Sequence, residues 1–185
     1  MTKAVKNTCA FTGHRPERFS FGYDESAEQC NELKALLADW IGIFVASGIK
    51  TFYYGAAQGV DMWAAEIVIG LKKSHNDLQL IAVLPCETQA LQWPPDLRDR
   101  YYNILTDCDD VVKLNKEYTA TCMNERNRYL VDHTDYILAV YDGHSDGGTA
   151  FTVGYAKEND RTILIIHPET LTETSHGDMS ALSQR

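Results

Sequence analysis

Two short stretches of small residues stand where an extended run meets a helical pattern. They are Gly55-Ala56-Ala57-Gln58-Gly59-Val60-Asp61 and Gly147-Gly148-Thr149. A turn of this kind leaves backbone N–H groups open and adds the positive end of a helix dipole, which suits an anion such as phosphate. Asp61 is badly placed to meet an anion itself; it serves as a cap for first-turn amides or accepts from a ligand hydroxyl. The plainer alternative for the first stretch is tight helix–sheet packing with Asp61 as a cap alone. For the second it is a flexible loop with Thr149 as an ordinary N-cap. A third stretch, Gly13-His14-Arg15-Pro16, pairs a glycine that permits a tight turn with a planar guanidinium suited to phosphate or carboxylate. Arg15 paired with Glu17 on the surface is the alternative there. His14 fits a hydrogen-bonding partner better than a general base. Further along, Glu87 is a candidate for ribose hydroxyls and Trp93 for stacking on a base, against a solvated glutamate and a loop anchor.

These residues need elements to carry them. "TCAFTG" reads as a first strand ending at Gly13. Residues 28–47 carry Leu33, Leu36, Leu37, Trp40, Ile41, Phe44 and Val45, an i, i+3, i+4, i+7 stripe that predicts an amphipathic helix closed by Ser47-Gly48. Strands follow over 50–55 and 78–85, with a helical stripe from Gly59 through Val60, Trp63, Ala64, Ile67, Val68 and Leu71 between them. "PDLRDRYYNILTD" predicts a short helix, "DVVKL" a short strand, and 121–132 a helix. "DYILAVYDG" (135–143) is a nearly all-apolar strand, "GTAFTVGYAKEND" is helical, and "RTILIIH" is the last strand. Alternating strands and helices, with several continuous apolar strands, predict an α/β fold of Rossmann-like kind: an open, mostly parallel sheet with helices on both faces. The expected organisation is one domain over 1–167 and a loose polar tail over 168–185. In such sheets ligands bind beyond the carboxyl ends of the strands, where all the candidates above fall.

Composition narrows the function. Acids outnumber bases by 26 to 17, a net charge of −9, which disfavours a general nucleic-acid binder because phosphate contacts supply most of such a protein's affinity. The five cysteines are odd in number, widely spaced and free of any C-x-x-C, which argues against a disulfide framework and a structural zinc site. Reduced thiols in a cytoplasm are the simplest reading. "MTKAVKNT" has no apolar run behind it, so no signal peptide is expected, and the apolar runs "IGIFVA" and "TILII" are too short to span a bilayer. There is no G-x-G-x-x-G after the first strand, no acid ending the second strand to hold an NAD ribose, no Walker lysine motif, no G-x-S-x-G and no H-E-x-x-H. No resident metal or cofactor is expected.

Four segments, "FTGHRP", "GAAQGVDMWAAE", "RNRYLVDHTDYILAVYDG" and "GGTAFTVGYA", taken in order and spacing, resemble the YpsA-like family of the SLOG superfamily. That superfamily includes the DprA/Smf DNA-processing proteins and the LOG cytokinin-activating enzymes. The resemblance implies a Rossmann-like fold that binds nucleotides or nucleotide-derived ligands. It places Gly13 and Arg15 in the first-strand motif, Gly55, Gly59 and Asp61 in a glycine–aspartate motif, and Gly147, Gly148 and Thr149 in the phosphate-binding turn. Arg126, Asn127 and Asp132 fall in a further motif beside or under the pocket. Two departures matter. LOG enzymes carry a glutamate two residues after the turn threonine, and here that position is Phe151. DprA-like proteins bind single-stranded DNA, and this chain has neither their length nor a basic balance. The favoured reading is therefore a nucleotide-sensing or regulatory module. The alternatives are a hydrolase of an N-glycosidic or phosphoester bond, and a DNA-binding protein of DprA type. The expected partner is a nucleotide-like small molecule, with no membrane, and the reading admits a homo-oligomer.

Overall fold

The structure, a computed structural model, describes residues 7–182. Most of the N-terminal stretch read above for a signal peptide lies outside those residues. The elements run β1 (Thr8–Gly13), α1 (Glu28–Ala46), β2 (Thr51–Tyr54), α2 (Val60–Lys72), β3 (Gln79–Leu84), α3 (Pro95–Thr106), β4 (Asp110–Lys113), α4 (Cys122–Asp132), β5 (Tyr136–Val140), α5 (Gly147–Glu158), β6 (Thr162–Ile166) and β7 (Glu173–His176). One sheet holds all seven strands in the order β4-β3-β2-β1-β5-β6-β7. The first six are parallel, and β7 pairs antiparallel with β6.

The order explains where a site must form. From β1 the chain winds outward through β2, β3 and β4, then crosses back along α4 to lay β5 against the other side of β1. Helices leaving β1 and β5 therefore diverge to opposite faces, and a crevice opens at the carboxyl ends of these two strands. One face of the sheet is covered by α1, α2 and α3 through Leu33, Leu37, Ile41, Trp63, Val68 and Ile104. Leu130, Val131, Val153 and Ala156, from α4 and α5, cover the other. Buried on both sides, β5 is buried at every position, the physical reason for its unbroken apolar run. Helix α1 ends in a Schellman arrangement at Gly48: the Ile49 amide donates to Phe44 O and the Gly48 amide to Val45 O, both at 3.0 Å.

The loop between β1 and α1 is held down on α2. Phe19 stacks on Trp63 with ring centroids 5.5 Å apart. Glu25 accepts from Arg100 Nη1 at 2.6 Å and from Lys34, while Glu66 takes the other edge of the same guanidinium at 2.7 Å. Burial opposes ionisation of Glu25, but these donors win and hold its carboxyl down at about 2.

The tail corrects the sequence reading. Residues 173–176 are an ordered edge strand, with Ile163 opposite His176 and Ile166 opposite Glu173. All four side chains of "ETSH" are exposed, so hydrophobic alternation carries no trace of the strand. Its order comes from backbone hydrogen bonds that cover the β6 edge, together with Leu182, which is buried among core residues.

Candidate functional site

At the β1/β5 crevice lies a cleft of about 370 Å³. Its wall comes from the loop after β1, the first turn of α2, the start of α4 and the start of α5. Among the sequence candidates, Gly13, His14, Arg15, Asp61, Arg126, Gly147, Gly148 and Thr149 line it together.

The turn between β2 and α2 differs from its sequence reading. Asp61 does not cap its own helix. Its Oδ2 reaches back and accepts the amides of Gly55 at 3.1 Å and Ala57 at 3.2 Å. Ala56, between them, adopts a left-handed φ of 54°, which lets the two amides converge on one oxygen. The anion held by this turn is therefore the protein's own carboxylate, and these amides are not open to a phosphate.

Beneath the turn lies Arg126, a buried guanidinium. It donates to Gly55 O through Nη1 and to Asn127 Oδ1 through Nε at 2.8 Å. Asn127 in turn donates to Gly148 O at 3.3 Å. Two adjacent residues of α4 thus tie the first glycine turn to the second. A Cβ on Gly55 would lie 2.0 Å from Arg126 Nη1, so the small residue there makes room for an arginine rather than for a ligand. Gly13 is similar: a Cβ would meet the Val60 side chain at 2.6 Å, so this glycine lets α2 pack against the end of β1. Burial pushes the Asp61 carboxyl up and the Arg126 guanidinium down from their ordinary values, and their mutual attraction works against both shifts.

The open donors lie elsewhere. Helix α5 starts after Asp146, whose side chain makes no cap hydrogen bond. Gly147 and Gly148 are exposed, and first-turn amides have no partner within a helix. Thr149 sits inside that first turn and is not the N-cap. Opposite stands Arg15, exposed and, among the described residues, without an ion-pair partner. Glu17, its suggested surface partner, instead accepts from the Tyr23 hydroxyl at 2.6 Å.

His14 is almost wholly buried, with Nε2 2.9 Å from Asp142 Oδ1. Burial lowers its pKa, and Asp142 only partly offsets this. Asp142 itself is opposed by burial but held at about 2 by the His144 amide and by His14. Arg18 bridges Asp142 at 3.2 Å and Asp146 at 3.1 Å, fixing the loop after β1 to the loop after β5. Sequence reading missed Arg18, Asp142 and Asp146, since each is an ordinary loop charge until the fold brings them together.

The remaining candidates lie away from the cleft. Gly55, Ala56 and Gly59 are buried behind its wall, and Gln58 accepts from the Tyr23 hydroxyl at 3.2 Å. Glu87 is exposed and faces Lys113 at 3.6 Å. Trp93 packs edge-on against Tyr101 and lines an adjoining recess of about 430 Å³. Asp132 is not beside the pocket: it ends α4, where it accepts from the Tyr155 hydroxyl at 3.1 Å.

The family model described as the YspA SLOG family matches residues 9–171, from β1 to just short of β7. The chain belongs to the YpsA family of SLOG proteins. The UPF0398 protein BH1768 of Halalkalibacterium halodurans is 30% identical over 145 residues, covering 75% of this chain and 77% of that protein. A UPF0398 protein of Bacillus thuringiensis (strain Al Hakam) is also 30% identical, over 152 residues, covering 80% of this chain and 82% of its own. Among solved structures, DNA processing protein A (DprA) from Streptococcus pneumoniae superposes with a TM-score of 0.56 at 15% identity, over 96% of this chain and 53% of that one. TM1055, a structural-genomics target, superposes with a TM-score of 0.52 at 14% identity, over 85% of this chain and 72% of its own. At these identities the two structures establish the fold. Within the YpsA-family chain, Phe151 stacks on Tyr155 with centroids 6.1 Å apart and lies 5.4 Å under the Arg128 guanidinium. It is no part of the cleft lining.

Proposed function

We propose that the cleft binds the phosphate-bearing end of a nucleotide or nucleotide-derived ligand, and that the protein acts as a sensor or regulatory module. One observation carries the reading: the unpaired guanidinium of Arg15 and the open first turn of α5 border the same cleft at the topological switch point. An arginine fork and helix-start amides are complementary to a phosphate in both charge and hydrogen-bonding sense. Asp61, with Oδ2 occupied by two amides, remains available through Oδ1 for a ligand hydroxyl. Binding without turnover is favoured by the position two residues after Thr149, where LOG enzymes carry a glutamate: here it is Phe151, which is no part of the cleft lining. The net charge of −9 further favours a small anion over a nucleic acid.

The test is a thermal-shift screen with AMP, ADP, ADP-ribose, NAD and cyclic nucleotides, followed by titration of the hits and chromatography for products. At least one compound is expected to stabilise the protein and to elute unchanged. Arg15→Ala should weaken it about ten- to hundredfold, the equivalent of one charge-assisted hydrogen bond of roughly 1.5–3 kcal/mol. An unchanged dissociation constant in that variant removes Arg15 from the site, and a new product peak establishes the hydrolase reading instead.

A further inference from the structure

The recess beside the cleft holds Leu91, Gln92, Trp93 and Tyr118, and it shares two lining residues, Arg15 and Met123, with the cleft itself. Both side chains border the two spaces. Their chemistry differs sharply. The cleft is lined by charge, whereas among the described residues of the recess Arg15 carries the one charge. Apolar surface is left uncovered there: Tyr118 is 66% exposed and Leu91 53%, two of the most exposed large hydrophobic side chains in the protein. Trp93 packs edge-on against Tyr101, at 5.3 Å and 76°, and against the core of the sheet.

We infer that this recess receives an uncharged planar ring, the nucleobase of the same ligand whose phosphate lies in the cleft, so that Arg15 sits between the two ends of one molecule. This rests on the phosphate-end reading above. A packed tryptophan, an exposed tyrosine and a methionine are the side chains on which a flat ring gains most, since stacking needs a π-face and little lost side-chain freedom. The absence of any acid or second base among the lining residues disfavours a charged group at this end, and Gln92 supplies an amide for the ring's edge. Because every base has a π-face, selectivity among bases should be modest, while selectivity for a base over none should be large.

Calorimetric titration of wild type, Tyr118→Ala, Trp93→Ala and Arg15→Ala with the four common nucleoside 5′-monophosphates and with ribose 5-phosphate tests this. Tyr118 is too exposed for its loss to threaten folding. The expected result is a nucleotide that binds wild type at least about tenfold tighter than ribose 5-phosphate, with Tyr118→Ala removing most of that advantage and leaving ribose 5-phosphate unchanged. If nucleotide and ribose 5-phosphate bind equally and both weaken in Arg15→Ala, the recess holds no ring, and the phosphate site stands without it. A nucleotide advantage that survives both Tyr118→Ala and Trp93→Ala refutes the assignment, because the ring then lies elsewhere. If none of these compounds binds at millimolar concentration the inference falls, and the reading under it falls with it when the wider thermal-shift screen is negative too.

Discussion

Asp61→Asn replaces one atom of a buried turn, and the two roles open to Asp61 give opposite results. Were it a helix cap, asparagine would serve about as well and the melting temperature would hold. In the structure the carboxylate instead takes the amides of Gly55 and Ala57 and lies in the field of the buried Arg126. Hydrogen bonds to a charged acceptor are worth about 1.5–3 kcal/mol each and neutral ones about 0.5–1.5 kcal/mol, so two weakened bonds cost about 2 kcal/mol. Leaving a buried guanidinium without its counter-charge adds to this. The whole effect stays near or below the roughly 3–5 kcal/mol seen when a directly bonded buried pair is broken, because no direct Asp61–Arg126 ion pair is formed. A loss of about 3 kcal/mol in a domain of this size corresponds to a drop of roughly 6–12 °C in Tm, at about 2–4 °C per kcal/mol. Calorimetric melting of wild type, Asp61→Asn, Arg126→Met and the double variant measures it, and the double variant should lose less than the sum of the singles. A drop under about 2 °C for Asp61→Asn would refute the account, as would strict additivity.

Gly55→Ala should lower Tm by several degrees and abolish ligand binding, since the new methyl overlaps Arg126 and breaks its bond to Gly55 O; a variant that melts like wild type would show that Arg126 has another place to go. Glu25 has a folded pKa of about 2, below its ordinary value of 4.5, so its contribution to stability is present above about pH 4.5 and is lost as pH falls toward 2. The Tm difference between wild type and Glu25→Gln should accordingly shrink across that window, and a constant difference would mean that Arg100 and Lys34 gain nothing from the charge. Single-stranded DNA should bind no tighter than micromolar at physiological salt, in line with the net charge of −9; a submicromolar complex with a steep salt slope would overturn this.

Periodicity and composition sufficed for much of this protein. The stripe from Leu33 to Val45, the all-apolar run of β5 and the strand–helix alternation reflect burial, which each residue type records locally, so the α/β class and nearly every element can be read without coordinates. The placement of candidates at strand ends follows from the same alternation, and the fold brings Gly13, Arg15, Asp61 and Gly147–Thr149 to one cleft but leaves Glu87 and Trp93 outside it, while Arg126 enters only through the family resemblance. What the small residues at 55–59 are for was decided only in three dimensions. Gly55 makes room for a side chain 71 positions away, and Asp61 closes the turn it appeared to open. Contacts at that separation leave no periodic signal. The same holds for the Arg18 bridge between two loops and for β7, whose polar side chains are exposed while its backbone bonds hold the edge of the sheet and Glu173 accepts from Trp40 Nε1. Side-chain type reports the burial a residue needs. Which partner satisfies a buried charge, or an unpaired strand edge, is decided by the folded chain as a whole.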